Sequence, residues 1–129
     1  MSPYFITIEC SYDEFWRYNL AITGAVMVAG KRVEFLSLLD EVAPVCSDLK
    51  VAPKDYNRPT TRLITTKEGE ELTLYIYIVP HTLPMSRTVD ECKHFELHVN
   101  IKHGDVTLYN RRHEINQWSG DNIEIKIKE

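Results

Sequence analysis

The chain has 129 residues, enough for one ordinary domain and too few for two. It is 43% hydrophobic and 26% charged with only 5 Gly and 6 Pro, which excludes collagen-like, low-complexity and fully disordered chains. Lys and Arg number 15 against 19 Asp and Glu, and the net charge of -4 argues against binding nucleic acid through bulk electrostatics.

In residues 4–10, Tyr4, Ile6, Ile8 and Cys10 alternate with Phe5, Thr7 and Glu9, the period of a strand with one partly buried face. Ser11 and Glu14 then have the spacing of a capping box, which predicts a helix bearing Tyr12, Phe15, Trp16, Asn19 and Leu20. Thr23-Gly24 reads as its end, and residues 24–30 as either helix or strand, the strand reading being Ala25 to Ala29 turning at Gly30-Lys31. The Leu-rich run over 32–42 predicts a second helix, with Val33, Phe35, Leu36, Leu39 and Val42 facing inward and Pro44 beyond its end. Residues 43–60 hold Pro44, Pro53 and Pro59 among polar residues and read as an irregular loop.

From there the pattern is a β-meander. Strands are predicted over 61–66 and 71–79 around the turn Lys67-Glu68-Gly69-Glu70, then over 94–102, 105–117 and 122–128. His103-Gly104 reads as a two-residue hairpin turn, and Ser119-Gly120-Asp121 as another. Ile123, Ile125 and Ile127 alternate with Glu124, Lys126 and Lys128, the charged protection expected of an edge strand. The fold class expected is α+β: one or two N-terminal helices packed on a mostly antiparallel sheet of about five strands, in a single domain over 1–129.

Cys10, Cys46 and Cys92 are an odd set with no close spacing, as in a reducing cytoplasm, and Met1-Ser2-Pro3 does not begin a secretion signal. The longest apolar stretch, Ala25 to Ala29, is far below the roughly 20 residues that span a bilayer. No nucleotide-binding, nucleophile-elbow, zinc-protease or EF-hand motif occurs, and no cofactor is expected.

The hairpin histidines offer the sharpest chemistry. A turn at His103-Gly104 would pair Ile101 with Val106, Glu96 with Arg111 and His94 with His113, with Cys92 one step along the same face. Cys92, His94 and His113 could then hold a zinc ion. Alternatively, His94 and His113 beside Tyr109 and Arg111 could perform acid–base cleavage of a phosphodiester, as a small hydrolase. A solvated sheet face with assorted polar groups is the third reading. Tyr75 and Tyr77 lie behind an apolar face with no basic neighbours, which suits the cover of the far sheet face or a protein contact better than RNA stacking.

Val26-Met27-Val28-Ala29-Gly30 is similar to the central motif of cystatins, the cysteine-protease inhibitors, usually Gln-x-Val-x-Gly. Val79-Pro80-His81 stands where their Pro-Trp loop would come. Val26 and His81 replace the expected Gln and Trp, the chain runs past the expected end, and no functional residue is carried over.

The expectation is therefore an acidic, cytoplasmic protein-binding module, of inhibitor or immunity type as in bacteria or phages, that blocks a basic surface on another protein. Its contacts are expected at Glu68, Glu70, Glu71 and His81, with no membrane or nucleic-acid partner. Self-association through the C-terminal strand is a further arrangement.

Overall fold

The computed structural model describes residues 3–45, 47–54, 56, 60–65, 69–82 and 94–128. The order is β1 (Tyr4–Glu9), a 3-10 turn (Phe15–Arg17), β2 (Tyr18–Val28), β3 (Lys31–Asp40), β4 (Thr60–Ile64), β5 (Glu71–Pro80), β6 (His94–His103), β7 (Val106–Asn116) and β8 (Asp121–Lys128). Among the described residues two four-stranded sheets result, a first in the order β4-β1-β6-β7 and a second in the order β3-β2-β5-β8. Every pairing is antiparallel.

Alternation explains the two layers. On the first sheet Tyr4, Ile6 and Ile8 of β1 and Leu97, Val99 and Ile101 of β6 are buried; on the second, so are Leu20 and Ile22 of β2 and Leu72, Leu74, Ile76 and Ile78 of β5. They belong to one apolar cluster, so each sheet covers the other as in a β-sandwich. Aromatic rings fill one end of that core: Tyr12 stacks on Phe95 with centroids 4.6 Å apart, and Tyr18 lies 5.1 Å from Phe95.

The expected α+β architecture is thus wrong: the structure is nearly all β, and a second sheet takes the place of the helices. The Ser11–Glu14 signal marks only a 3-10 turn. Phe15 N donates to Tyr12 O at 3.2 Å and Arg17 N to Glu14 O at 3.0 Å, after which the chain extends. The Glu14 carboxylate does not cap. It pairs with Arg17 at 2.9 Å, a side chain only 3% exposed.

In β2, Tyr18, Leu20, Ile22 and Val26 all point inward, a period of two that the helical reading of Tyr12 to Leu20 cut across. The predicted helix over 32–42 is β3 instead, because nine residue pairs with β2 override a modest propensity difference. Leu36 opposite Gly24 is buried, whereas Phe35 and Leu39 are 60% and 69% exposed. Gly24 is required by close packing, since a Cβ there would lie 2.5 Å from the Thr73 carbonyl oxygen.

Among the described residues β8 is an edge strand, bonded only to β5, and it carries Glu124, Lys126 and Lys128 exposed as expected. No helix among the described residues is long and apolar enough to cross a membrane.

Candidate functional site

The β6–β7 hairpin turns at Gly104-Asp105, with His103 opposite Val106 and Gly104 at φ 63°, not at His103-Gly104. A bulge between Ile101 and Lys102 shifts the register again, so that His94 faces Asn116 and His113 faces Leu97. An odd total slip turns every β7 side chain to the other face of the sheet. His94, exposed on the outer surface, and His113, on the side of Leu97 and the core, therefore lie on opposite faces. They can neither share a metal ion nor act as one acid–base pair. Cys92, the third proposed ligand, lies outside the described residues, and among those described no three His, Cys, Asp or Glu side chains converge for a metal. The cross-strand charge pair is Glu96 with Arg112, 3.7 Å apart, instead of Glu96 with Arg111.

The slip does bring Tyr109, Arg111 and His113 together on the inward side of β7. The Tyr109 hydroxyl and His113 Nε2 are hydrogen-bonded at 2.7 Å, with the rings parallel and 6.0 Å apart. The Arg111 guanidinium carbon lies 5.6 Å from the Tyr109 ring centre. Burial, seconded by Arg111, lowers the His113 pKa below 6.5, and the Asp121 carboxylate opposes them. Burial likewise raises the Tyr109 pKa above 10.0, against the pull of Arg111. At neutral pH the phenol keeps its proton and the imidazole is uncharged, and the histidine tautomer sets which of the two donates in this bond. Such a pair positions the flank of the sandwich, and it holds one histidine where the phosphodiester mechanism needs two.

The expected contact residues are dispersed. Glu70 is exposed at the start of the strand that follows, and its Oε2 accepts from Ala29 N at 3.4 Å. Glu71 pairs with Lys128 at 3.8 Å. Glu68 lies outside the described residues. His81 is only 2% exposed, so its ring is structural: Nε2 donates to the Trp16 carbonyl at 2.6 Å, and Nδ1 bonds Thr82 Oγ1 at 2.7 Å. Its backbone N also donates to Arg17 O at 2.9 Å, which ties the end of β5 to the 3-10 turn.

The outer face of the second sheet is the feature sequence reasoning missed. Ala21 of β2 lies between Leu39 and Tyr77, Thr23 between Ser37 and Tyr75, and Ala25 between Phe35 and Thr73. Small residues thus form the floor of a shallow trough, with exposed Phe35 and Leu39 along one wall and half-buried Tyr75 and Tyr77 along the other. Arg32 lies over the Phe35 ring at 5.5 Å. The signal was present as the alternation of Phe35, Ser37 and Leu39 with Leu36 and Leu38, hidden under leucine's helical preference.

No protein-family profile and no curated protein matches the chain. Val26 to Gly30, similar to the cystatin motif, form the end of β2 and the turn into β3 and bring no assignment. Two solved structures share the fold. The chain is similar to a DUF4425 family protein from Bacteroides ovatus, with TM-score 0.56 and 11% identity over 97% of this chain and 94% of that one. It is similar also to a DUF4425 domain of unknown function from Bacteroides vulgatus, with TM-score 0.57 and 12% identity over 99% of this chain and 96% of that one. At this identity the likeness establishes the fold alone.

Proposed function

We propose that this chain is a protein-binding module of the inhibitor or immunity kind, working in the cytoplasm and docking a partner on the outer face of the second sheet. The observation that carries the reading is the exposure of Phe35 (60%) and Leu39 (69%) beside a floor of Ala21, Thr23 and Ala25. Large apolar side chains gathered on one rigid sheet face are the usual core of an interface, and aromatic residues supply most of its energy. The partner carries apolar side chains that enter the trough and a basic surface around them. The net charge of -4 would speed the encounter with such a partner and favour its orientation.

The test is a comparison of capture from native lysate by the wild-type chain and by the double variant Phe35→Asp/Leu39→Asp. One or more basic proteins should be held by the wild type, lost with the variant and weakened by added salt. The variant should fold normally, because both side chains already face water. Identical capture by the two forms refutes the reading.

A further inference from the structure

Among the described residues four strands end the two sheets, β4 and β7 on the first and β3 and β8 on the second. Three of them carry charge within their span: Arg62 on β4, Arg111, Arg112 and Glu114 on β7, and Glu124 and Lys126 on β8. The exception is β3. Among the described residues it bonds only to β2, and Phe35 to Leu39 hold no charge, with Phe35 and Leu39 both exposed. Such an edge offers its backbone donors and acceptors to any extended chain, and folded proteins ordinarily block it with charge, a bulge or a cover. The irregularity in β3 leaves Val33 without an opposite residue near one end, so Glu34 to Asp40 keep a regular register with β2. Charge lies at the two ends of the apolar segment and is opposite in sign: exposed Lys31 and Arg32 before it, half-buried Asp40 and exposed Glu41 after it.

We propose that β3 pairs antiparallel with β3 of a second copy about a two-fold axis at Leu36, joining the two second sheets into one continuous sheet. An order of basic, apolar, acidic along the strand is self-complementary only when the two copies run in opposite directions. Leu36 then lies opposite Leu36, Phe35 opposite Ser37 and Glu34 opposite Leu38 of the second copy, and opposed residues keep the same face. Lys31 and Arg32 of each copy meet Asp40 and Glu41 of the other at both ends, as an isologous interface requires. A parallel pairing would set like charges side by side. On the outer face, Phe35 gains Phe35 and Leu39 of the second copy as diagonal neighbours about 7–8 Å away, within reach of aromatic and long side chains. A different protein adding its own strand would need this same pattern reversed, which a second copy already supplies. The outer face stays open and no docked partner is required, so the pairing stands or falls separately from the docking reading.

Sedimentation equilibrium of the whole chain, with no partner present, reads the mass directly. A dimer of twice 15.0 kDa should form with a Kd at or below about 100 μM. The variants K31E/R32E and D40K/E41K each have two ends of one sign, and each should weaken the dimer at least about thirtyfold. Mixed in equal amounts, the two variants should form it again, and the chain carrying all four changes should pair with itself. Deuterium exchange identifies the strand: amides within residues 34–38 that point away from β2 should be protected in wild type at about 1 mM and lose that protection on dilution. A monomer persisting up to about 1 mM, a dimer of unchanged affinity in both variants, no recovery in their mixture, or β3 exchange that ignores concentration would each overturn the proposal.

Discussion

Leu36 and Leu39 are three residues apart, and a helix over 32–42 would point both inward. The strand points Leu36 to the core at 7% exposure and Leu39 to solvent at 69%. Leu36→Ala removes three buried carbons opposite Gly24, in a place where Leu74 and the second-sheet backbone already pack closely. Burial in a core costs about 2–5 kcal/mol on such truncation, and an edge strand that can relax sets the expectation at about 2–3 kcal/mol. Leu39→Ala should change stability by less than about 0.5 kcal/mol. Urea unfolding followed by tryptophan fluorescence measures both. With a slope of about 1.5 kcal/mol per molar, the Leu36→Ala midpoint should fall by about 1.3–2 M, while that of Leu39→Ala stays near the wild type. Equal losses in the two variants would refute the strand and its facing.

Gly120 sits at φ +65°, and a Cβ there would run into the Ile78 carbonyl oxygen. Gly120→Ala should therefore cost at least about 2 kcal/mol, lowering the melting temperature by about 8 °C; an unchanged melt would count against this close approach. His113 should titrate below its ordinary 6.5 by NMR, moving upward in Arg111→Gln and further downward in Asp121→Asn. Because its folded-state pKa is lowered, the unfolded chain binds the proton more readily. The His113 contribution to stability is then present above about pH 6.5 and is lost as pH falls through the folded-state value; an Arg111→Gln variant with the same titration would contradict this. Glu14→Ala strips a 3%-exposed Arg17 of its carboxylate and should cost about 1–3 kcal/mol, most of it recovered when Arg17→Met is added. Failure of that recovery in a double-mutant cycle would show that the pair is not coupled.

The readable parts of the fold are those with strict local alternation. β1, β5 and β8 announce themselves through Ile6 and Ile8, through Leu72 to Ile78, and through Ile123 to Ile127, because on each a buried face alternates with a wet or polar one. β3 and the first half of β2 were missed for a physical reason, whereas the buried strand offered for Ala25 to Ala29 is the end of β2. Tyr12, Phe15 and Trp16 serve a 3-10 turn at the sandwich end, and their spacing carried a helical period into β2. In β3, leucines occupy both faces, so the burial pattern is blurred and only the partner strand distinguishes Leu36 from Leu39. The candidate site suffered from one position in a turn and one bulge. Both are set by how Gly104 and the bulge at Ile101/Lys102 settle against β1 and the core, and together they exchanged the faces of His113 and Arg111 for those of Glu114 and Arg112.

Sequence alone determined the acidic balance, the strand character of the C-terminal half, the charged edge of β8 and the turn glycines, because composition and short-range periodicity act on neighbouring residues. Tertiary structure decided that a second sheet, not a helix, covers the first, and that Phe35 and Leu39 face water. It also decided that His94 and His113 part company. Those outcomes depend on pairing between segments tens of residues apart, whose register and facing no local pattern encodes.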